Sequence, residues 1–144
     1  MSEGQITEGL KELFSGDPFA AELGIEIVEL VPGRSKVKMQ LARKHRNFLG
    51  FVHGGAIFTL LDQAFALASN SHNLSSVAID MSVHFIRAPS PEAVLFAEGR
   101  EISRSRKLGL YELTVTDEAG EQVCRSEGRV YRIGNPIVES GEKE

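Results

Sequence analysis

Residues 47–69, NFLGFVHGGAIFTLLDQAFALAS, decide the fold of this chain. From Gly55 to Ser69 the sequence is apolar on nearly all sides of a helix, and Asp62 is its only charge. A helix of this kind has to be buried on most of its circumference. We therefore expect one long central helix, with the rest of the chain folded around it.

Segments on both sides of this helix alternate between apolar and polar residues, which is the pattern of half-buried strands. Two strands separated by a Pro32-Gly33 turn precede the helix, and four strands follow it. The order contains no βαβ alternation, so it favours a mostly antiparallel sheet wrapped on one helix, an α+β fold. The expected strands begin at Ile25 and cover 34–41, 77–85, 94–103, 108–117 and 122–133, with a hairpin turn at 117–120.

The length of 144 residues is typical of one domain, so we expect a single domain over 1–144. Asp17-Pro18 is typical of a helix cap followed by the first helical turn. The expected parts are a core at about 20–133, short helices within 7–23 and a polar tail at 135–144.

The composition argues against several classes of protein. A net charge of −4 and a pI near 5.6 argue against a nucleic-acid-binding domain, which is normally basic. No stretch approaches the roughly 20 apolar residues of a membrane span, and the first residues do not resemble a signal peptide. We therefore expect a cytoplasmic protein. His45, His72 and His84 have no common ligand spacing, so no metal site is expected.

Gly54 and Gly55 lie where a polar loop enters the central helix. The first N–H groups of a helix have no intrahelical partners and carry partial positive charge. Glycine there lets a ligand oxygen approach the backbone, as in an oxyanion-binding site. The alternative is that both glycines only relieve crowding where the loop meets the sheet.

Asp62 is a carboxylate among apolar neighbours, so desolvation disfavours its ionised form. Functional sites often contain such groups, but a carboxylate that faces a polar gap or an arginine also fits the pattern. Asp62 follows Gly54 by eight residues, which is about 12 Å along a helix. The two groups can serve one carbonyl only if they come from different subunits. A homodimer with antiparallel central helices would satisfy this condition.

This pattern resembles the motif of hotdog-fold thioesterases of the phenylacetate-degradation, PaaI-like branch. The residues that carry the resemblance are Asn47, Gly50, His53, Gly54, Gly55 and Asp62, together with 77–89 and 118–120. It implies a hotdog fold, in which five or six antiparallel strands curl around the long helix. It also implies assembly into homodimers, usually paired as homotetramers.

The resemblance implies an acyl-CoA thioesterase that hydrolyses an acyl- or aryl-acyl-CoA, with CoA as part of the substrate and no further cofactor. It implies that the Gly54 N–H polarises the thioester carbonyl, while Asp62 of the other subunit activates water or attacks the carbonyl itself. Asn47 and His53 are implied to place the thioester and to hold the loop. The chain departs from some relatives at Ala78, where they carry a Ser or Thr that helps to hold the water.

The substrate contacts are expected from a basic cluster and from the loop. Guanidinium groups suit the phosphates of CoA, although a solvated strand end gives the same pattern. Phenylalanines near the loop suit an aromatic or medium-length acyl group, but they also fit a core. The basic cluster is Arg100, Arg104, Arg106 and Lys107, and the expected substrate-binding residues are Gly55, Phe48, Arg87, Arg104, Arg106 and Lys107.

Two other functions fit the same residues. A hydratase or dehydratase of the same fold would use His53 and Asp62 for proton transfer. A non-catalytic acyl-CoA binding protein would retain the site for binding alone, and the Ala78 departure favours that interpretation.

Overall fold

Residues 5–139, the part of the chain that the computed structural model describes, contain three α-helices and one six-stranded sheet. The helices are α1 (Glu8–Ser15), α2 (Pro18–Leu23) and α3 (Gly54–Asn70). The strands are β1 (Ile25–Val31), β2 (Arg34–Gln40), β3 (Leu74–Phe85), β4 (Val94–Arg104), β5 (Leu108–Asp117) and β6 (Gln122–Pro136). The strand order is β1-β2-β4-β5-β6-β3, and all neighbouring strands are antiparallel.

The expected hotdog architecture is confirmed, because the sheet contacts α3 through β2, β3, β4 and β5. Leu60, Leu61 and Ala64 of α3 are completely buried against the sheet. The expected burial of this helix is therefore correct for most of its circumference. None of the described helices is long and apolar enough to cross a membrane.

Two glycines let α3 lie close to the sheet. A Cβ at Gly99 would lie 2.9 Å from the backbone oxygen of Ala64, and a Cβ at Gly128 would lie 2.6 Å from the Phe65 ring. Both distances are too short for a side chain, so these strand positions require glycine. Ser35 Oγ donates a hydrogen bond of 2.6 Å to the same Ala64 oxygen and ties the middle of α3 to β2.

The short helix α2 has the expected bounds. The Asp17 side chain accepts a hydrogen bond of 3.1 Å from the Ala20 N–H and so caps the helix, while Gly24 ends it with a φ of 79°. The other Asp17 oxygen accepts from Gln63 Nε2 at 3.1 Å. This contact holds α2 beside α3, close to the loop that precedes α3.

The last strand is longer than the sequence pattern predicts, since β6 continues to Pro136 and pairs there with Leu74. Asn73 turns the chain before β3 with a φ of 63°. Its side-chain amide forms two hydrogen bonds of 3.0 Å with the backbone of Val138. The expected tail therefore starts later than residue 135, and its residues 140–144 lie outside the described part of the chain.

Candidate active site

The loop between β2 and α3 is held by the side chain of Asn47. Its Oδ1 accepts hydrogen bonds from the Leu49 N–H at 2.9 Å and the Phe51 N–H at 3.1 Å. The Asn47 N–H donates to the Phe51 oxygen at 2.8 Å, and Gly50 allows the turn with a φ of 86°. Asn47 thus satisfies the backbone of a tight loop, as asparagine does in Asx turns.

His53 caps the N-terminus of α3. Its Nδ1 accepts a hydrogen bond of 2.9 Å from the Gly55 N–H, so Nδ1 is unprotonated in this arrangement. A Cβ at Gly55 would lie 3.0 Å from this Nδ1. The closeness of the His53 ring therefore explains why residue 55 is a glycine. Because the Gly55 N–H already donates to His53, it is not free to bind a ligand.

The Gly54 N–H is left open by this cap. Gly54 is the first residue of α3, it is exposed, and no described residue accepts a hydrogen bond from its N–H. An open N–H at a helix N-terminus is suited to an anionic oxygen. A groove of about 290 Å³ begins beside it, and its lining is Val52, Gly54, Ile57, Phe85, Ile86, Arg87, Ala88 and Pro89.

Asp62 is half-buried on α3, and this burial raises its pKa above the usual 3.8. Within the described residues it forms no ion pair and no side-chain hydrogen bond. Eight residues separate it from Gly54, about 12 Å along the helix axis. One protomer therefore does not bring the carboxylate to the open N–H.

The expected basic groups are divided between the two ends of the sheet. Arg87 forms an ion pair of 2.8 Å with Asp117, which is paired with Leu95 at the start of β4. Arg104 is the last residue of β4, about 30 Å away along the strand. In one protomer Arg87 therefore lies far from the cluster that the sequence groups at 100–107.

The members of the cluster differ in their partners. Arg100 is paired with Glu112, and Arg104 Nε lies 3.8 Å from Glu101 Oε2. Lys107 Nζ donates to the Tyr131 hydroxyl at 3.1 Å. Arg106 is exposed and forms no ion pair within the described residues. Arg106 can therefore turn to a ligand without breaking such a contact.

The phenylalanines of the loop are not part of the core. Phe48 is 96% exposed, and Leu49 and Phe51 are also largely exposed. Phe58 on α3 is half-buried. The loop therefore presents an apolar tip that the protomer does not cover.

Ala78 is exposed on β3 and pairs with Val130. The nearby Ser76 is buried, and its Oγ donates to the Leu74 oxygen at 3.2 Å. The Ser76 hydroxyl therefore already has a hydrogen-bond partner within β3.

Two residues of the loop have roles that the sequence does not reveal. His45 is 2% exposed and uses both ring nitrogens in hydrogen bonds. The Nε of Arg46 is buried without a hydrogen-bond partner among the described residues. No periodic pattern marks either position, because His45 ends a single 3-10 turn, Arg43–His45, and Arg46 follows it. Across residues 5–139, no group of three His, Cys, Asp or Glu side chains is arranged to hold a metal ion.

Known proteins resemble this chain in sequence. The family model of the thioesterase superfamily matches residues 49–124. A protein of Archaeoglobus fulgidus is 34% identical over 132 residues, which cover 91% of this chain and 86% of the relative. The acyl-coenzyme A thioesterase PaaI of Escherichia coli is 30% identical over 126 residues, which cover 88% and 90% of the two chains.

Solved structures of similar proteins have the same fold. The structure of Escherichia coli PaaI superposes with a TM-score of 0.85 at 29% identity, over 89% of this chain and 93% of that one. A Streptococcus mutans protein solved with bound acetyl CoA has a TM-score of 0.74 at 27% identity, with 78% and 90% of the two chains covered.

A six-stranded antiparallel sheet around one long central helix is the hotdog fold, and this protein is a thioester hydrolase of that fold. The chain belongs to the thioesterase superfamily, and within it to the PaaI-like branch.

The raised pKa of Asp62 predicts that Asp62→Asn stabilises the fold. Burial disfavours the ionised carboxylate only in the folded state, so the wild type loses stability as the pH rises from about 3.8 through the folded pKa. The variant has no such loss. Urea unfolding between pH 3.5 and 8 should show little difference between the proteins at the acid end and a growing advantage of D62N above it. A less stable D62N at pH 7 would mean that the carboxylate makes a stabilising contact.

Proposed function

We propose that the protein hydrolyses acyl-CoA thioesters at a site shared by two subunits. In this site the Gly54 N–H of one subunit faces the Asp62 carboxylate of the other. The observation that carries the proposal is the open Gly54 N–H, which the His53 cap leaves without a partner among the described residues. The half-buried Asp62, which has no ion pair or side-chain hydrogen bond among the described residues, supplies the second group.

The first step of the proposed reaction depends on Gly54. Its N–H donates a hydrogen bond to the thioester carbonyl oxygen, which becomes negative as the carbonyl carbon is attacked. The partial positive charge of the helix N-terminus favours this change. A donor of this kind typically contributes about 3–4 kcal/mol to the stability of the transition state.

Asp62 activates the nucleophile in the proposed reaction. Its carboxylate takes a proton from water, the water oxygen bonds to the carbonyl carbon, and the C–S bond breaks to release CoA as thiolate. The raised pKa makes the carboxylate a stronger base than an ordinary aspartate. The second route is direct attack by the carboxylate oxygen, after which water hydrolyses the resulting anhydride.

The dimer is supported by the edge strand of the sheet. β3 is the last strand in the order and has 12 residues, and no described strand covers its outer edge. Val77 and Ile79 are about half exposed on it. A long apolar edge of this kind invites pairing with another chain. We propose that two β3 strands pair antiparallel about a two-fold axis.

Antiparallel pairing of two β3 strands would also bring the basic groups from the two ends of the sheet to one site. The start of β3 lies at the end of the sheet that carries Arg104, and its last residue, Phe85, lies beside Gly54. The two-fold operation therefore carries the cluster of one subunit toward the Gly54 of the other. We propose that Arg104, Arg106 and Lys107 of one subunit bind the CoA phosphates of the site that contains the other subunit's Gly54.

The remaining proposed substrate contacts come from the loop before α3, from the first turn of α3 and from the groove beside Gly54. The exposed Phe48 is proposed to cover an aromatic or medium-length acyl group. Gly55 is proposed to admit the substrate because it has no side chain, while Arg87 lines the groove beside Gly54. The names of Escherichia coli PaaI and the acetyl CoA bound in the Streptococcus mutans protein support a CoA thioester as substrate. Assembly into tetramers and a cytoplasmic location stay predictions.

Gly54→Pro is expected to lower kcat by about 10²- to 10³-fold, because proline removes the N–H that stabilises the oxyanion. The first helical position accepts proline, and the φ and ψ of His53, −66° and 131°, suit a residue before proline. Gly54→Ala is the matched control, since it retains the N–H and its Cβ lies in ordinary contact with Phe85 at 3.8 Å. Equal activity of the proline and alanine variants would exclude this N–H from the reaction.

Asp62→Asn is expected to abolish most of the turnover, because the amide is a poor base and nucleophile. Thiol release should be followed with phenylacetyl-, hydroxyphenylacetyl-, benzoyl- and straight-chain acyl-CoA, and the wild type ranks the acyl groups. Full activity of D62N would remove Asp62 from the mechanism. Water addition to crotonyl-CoA without thiol release would indicate a hydratase, and tight binding without turnover would indicate a binding protein.

Mixed dimers test whether the site is shared. A subunit with Gly54→Pro and a subunit with Asp62→Asn should each form inactive homodimers. In the mixed dimer one of the two sites has both native groups, so random co-assembly should restore about a quarter of the wild-type rate. A mixture no more active than its parents would place both groups in one chain.

A further inference from the structure

We propose that His45 is a positioning residue, which couples α2 to the N-terminus of α3 and so sets the direction of the Gly54 N–H. The inference rests on the proposed function of Gly54. The observation behind it is that this buried imidazole and its backbone oxygen together hold three separate parts of the chain.

The ring of His45 has only one arrangement of its proton that satisfies both contacts. Nδ1 accepts a hydrogen bond of 2.9 Å from the Ala42 N–H, so this nitrogen carries no proton. Nε2 then carries the proton and donates it to the Leu23 oxygen at 2.9 Å. The neutral ring thus closes the turn after β2 with one nitrogen and holds the end of α2 with the other.

The backbone of His45 continues the connection to α3. Its oxygen accepts a hydrogen bond of 2.7 Å from the His53 N–H. His53 in turn caps the helix through the Gly55 N–H, which leaves the Gly54 N–H open. A displacement of His45 therefore moves the cap, and with it the donor that the reaction requires.

The other end of the connection is a groove beside α2. A space of about 330 Å³ lies between α2 and the first turns of α3, next to His53 and Gly55. Phe19 and Leu23 of α2 form one wall, and Phe19 is exposed. Lys44 Nζ adds a second tie to α2 by donating to the Glu22 oxygen at 2.9 Å. The location of α2 thus decides the width of this groove.

Two substitutions separate the two ring contacts. His45→Asn can retain an acceptor near Nδ1 for the Ala42 N–H, but it loses the tie to Leu23. His45→Gln can retain a donor near Nε2 for the Leu23 oxygen, but it loses the acceptor for Ala42. We expect the asparagine variant mainly to raise KM, because α2 is released. We expect the glutamine variant mainly to lower kcat, by about 10- to 100-fold, because the cap shifts.

Ser35→Ala is the matched control for lost stability. Ser35 is buried and holds the middle of α3 through the Ala64 oxygen, away from the loop. We expect this control to lower the melting temperature with kcat and KM unchanged. Amide hydrogen exchange at His53 and Gly55 should become faster in both His45 variants and stay slow in the control. This readout does not depend on turnover.

The outcomes of the two proposals are distinguishable. Loss of stability in both His45 variants with wild-type kcat, KM and exchange at His53 and Gly55 would overturn the positioning role. The same change of kcat and KM in both variants would overturn the division between the two ring nitrogens. An inactive wild type, or a Gly54→Pro variant with the activity of Gly54→Ala, would instead overturn the proposed function.

Discussion

The burial of α3 against the concave face of the sheet is the constraint on which the other features depend. Gly99 and Gly128 allow the helix to approach the strands, and Leu60, Leu61 and Ala64 are completely buried against the sheet. A helix held in this way has no freedom to slide or rotate, so its N-terminus emerges at one place. The loop before it can then be built to leave one N–H open, because the position of that N–H is set by the core.

A local hydrogen-bond pattern leaves one N–H open at the N-terminus of α3. Of the first two N–H groups of α3, His53 takes the one on Gly55 and leaves the one on Gly54. Asn47 satisfies the loop backbone in the same region, so the loop holds its shape without using that N–H. Asp62 is buried without a partner among the described residues, which raises its pKa, disfavours the ionised carboxylate in the folded state and makes it a stronger base.

The proposed dimer connects several features of the protomer. Within residues 5–139, a carboxylate without a partner about 12 Å from the open N–H, an edge strand that no other strand covers and basic residues at the far end of the sheet are unrelated to one another. In the proposed dimer, a two-fold axis perpendicular to β3 relates all of them to one site. The midpoint between Gly54 and Asp62 is residue 58, so we expect Phe58 to lie near that axis.

The sequence by itself determined the elements whose causes are local. The apolar run predicted α3, the Asp17-Pro18 cap predicted the start of α2, and the two-residue period marked the strands. Only the tertiary structure decided the length of β6, the separation of Arg87 from Arg104 and the role of His45. Each depends on contacts between distant segments, namely Asn73 with Val138, the pairing of β4 with β5, and the His45 ring with Leu23. Periodicity and turn preferences act over a few residues, whereas such contacts exist only after the chain has folded.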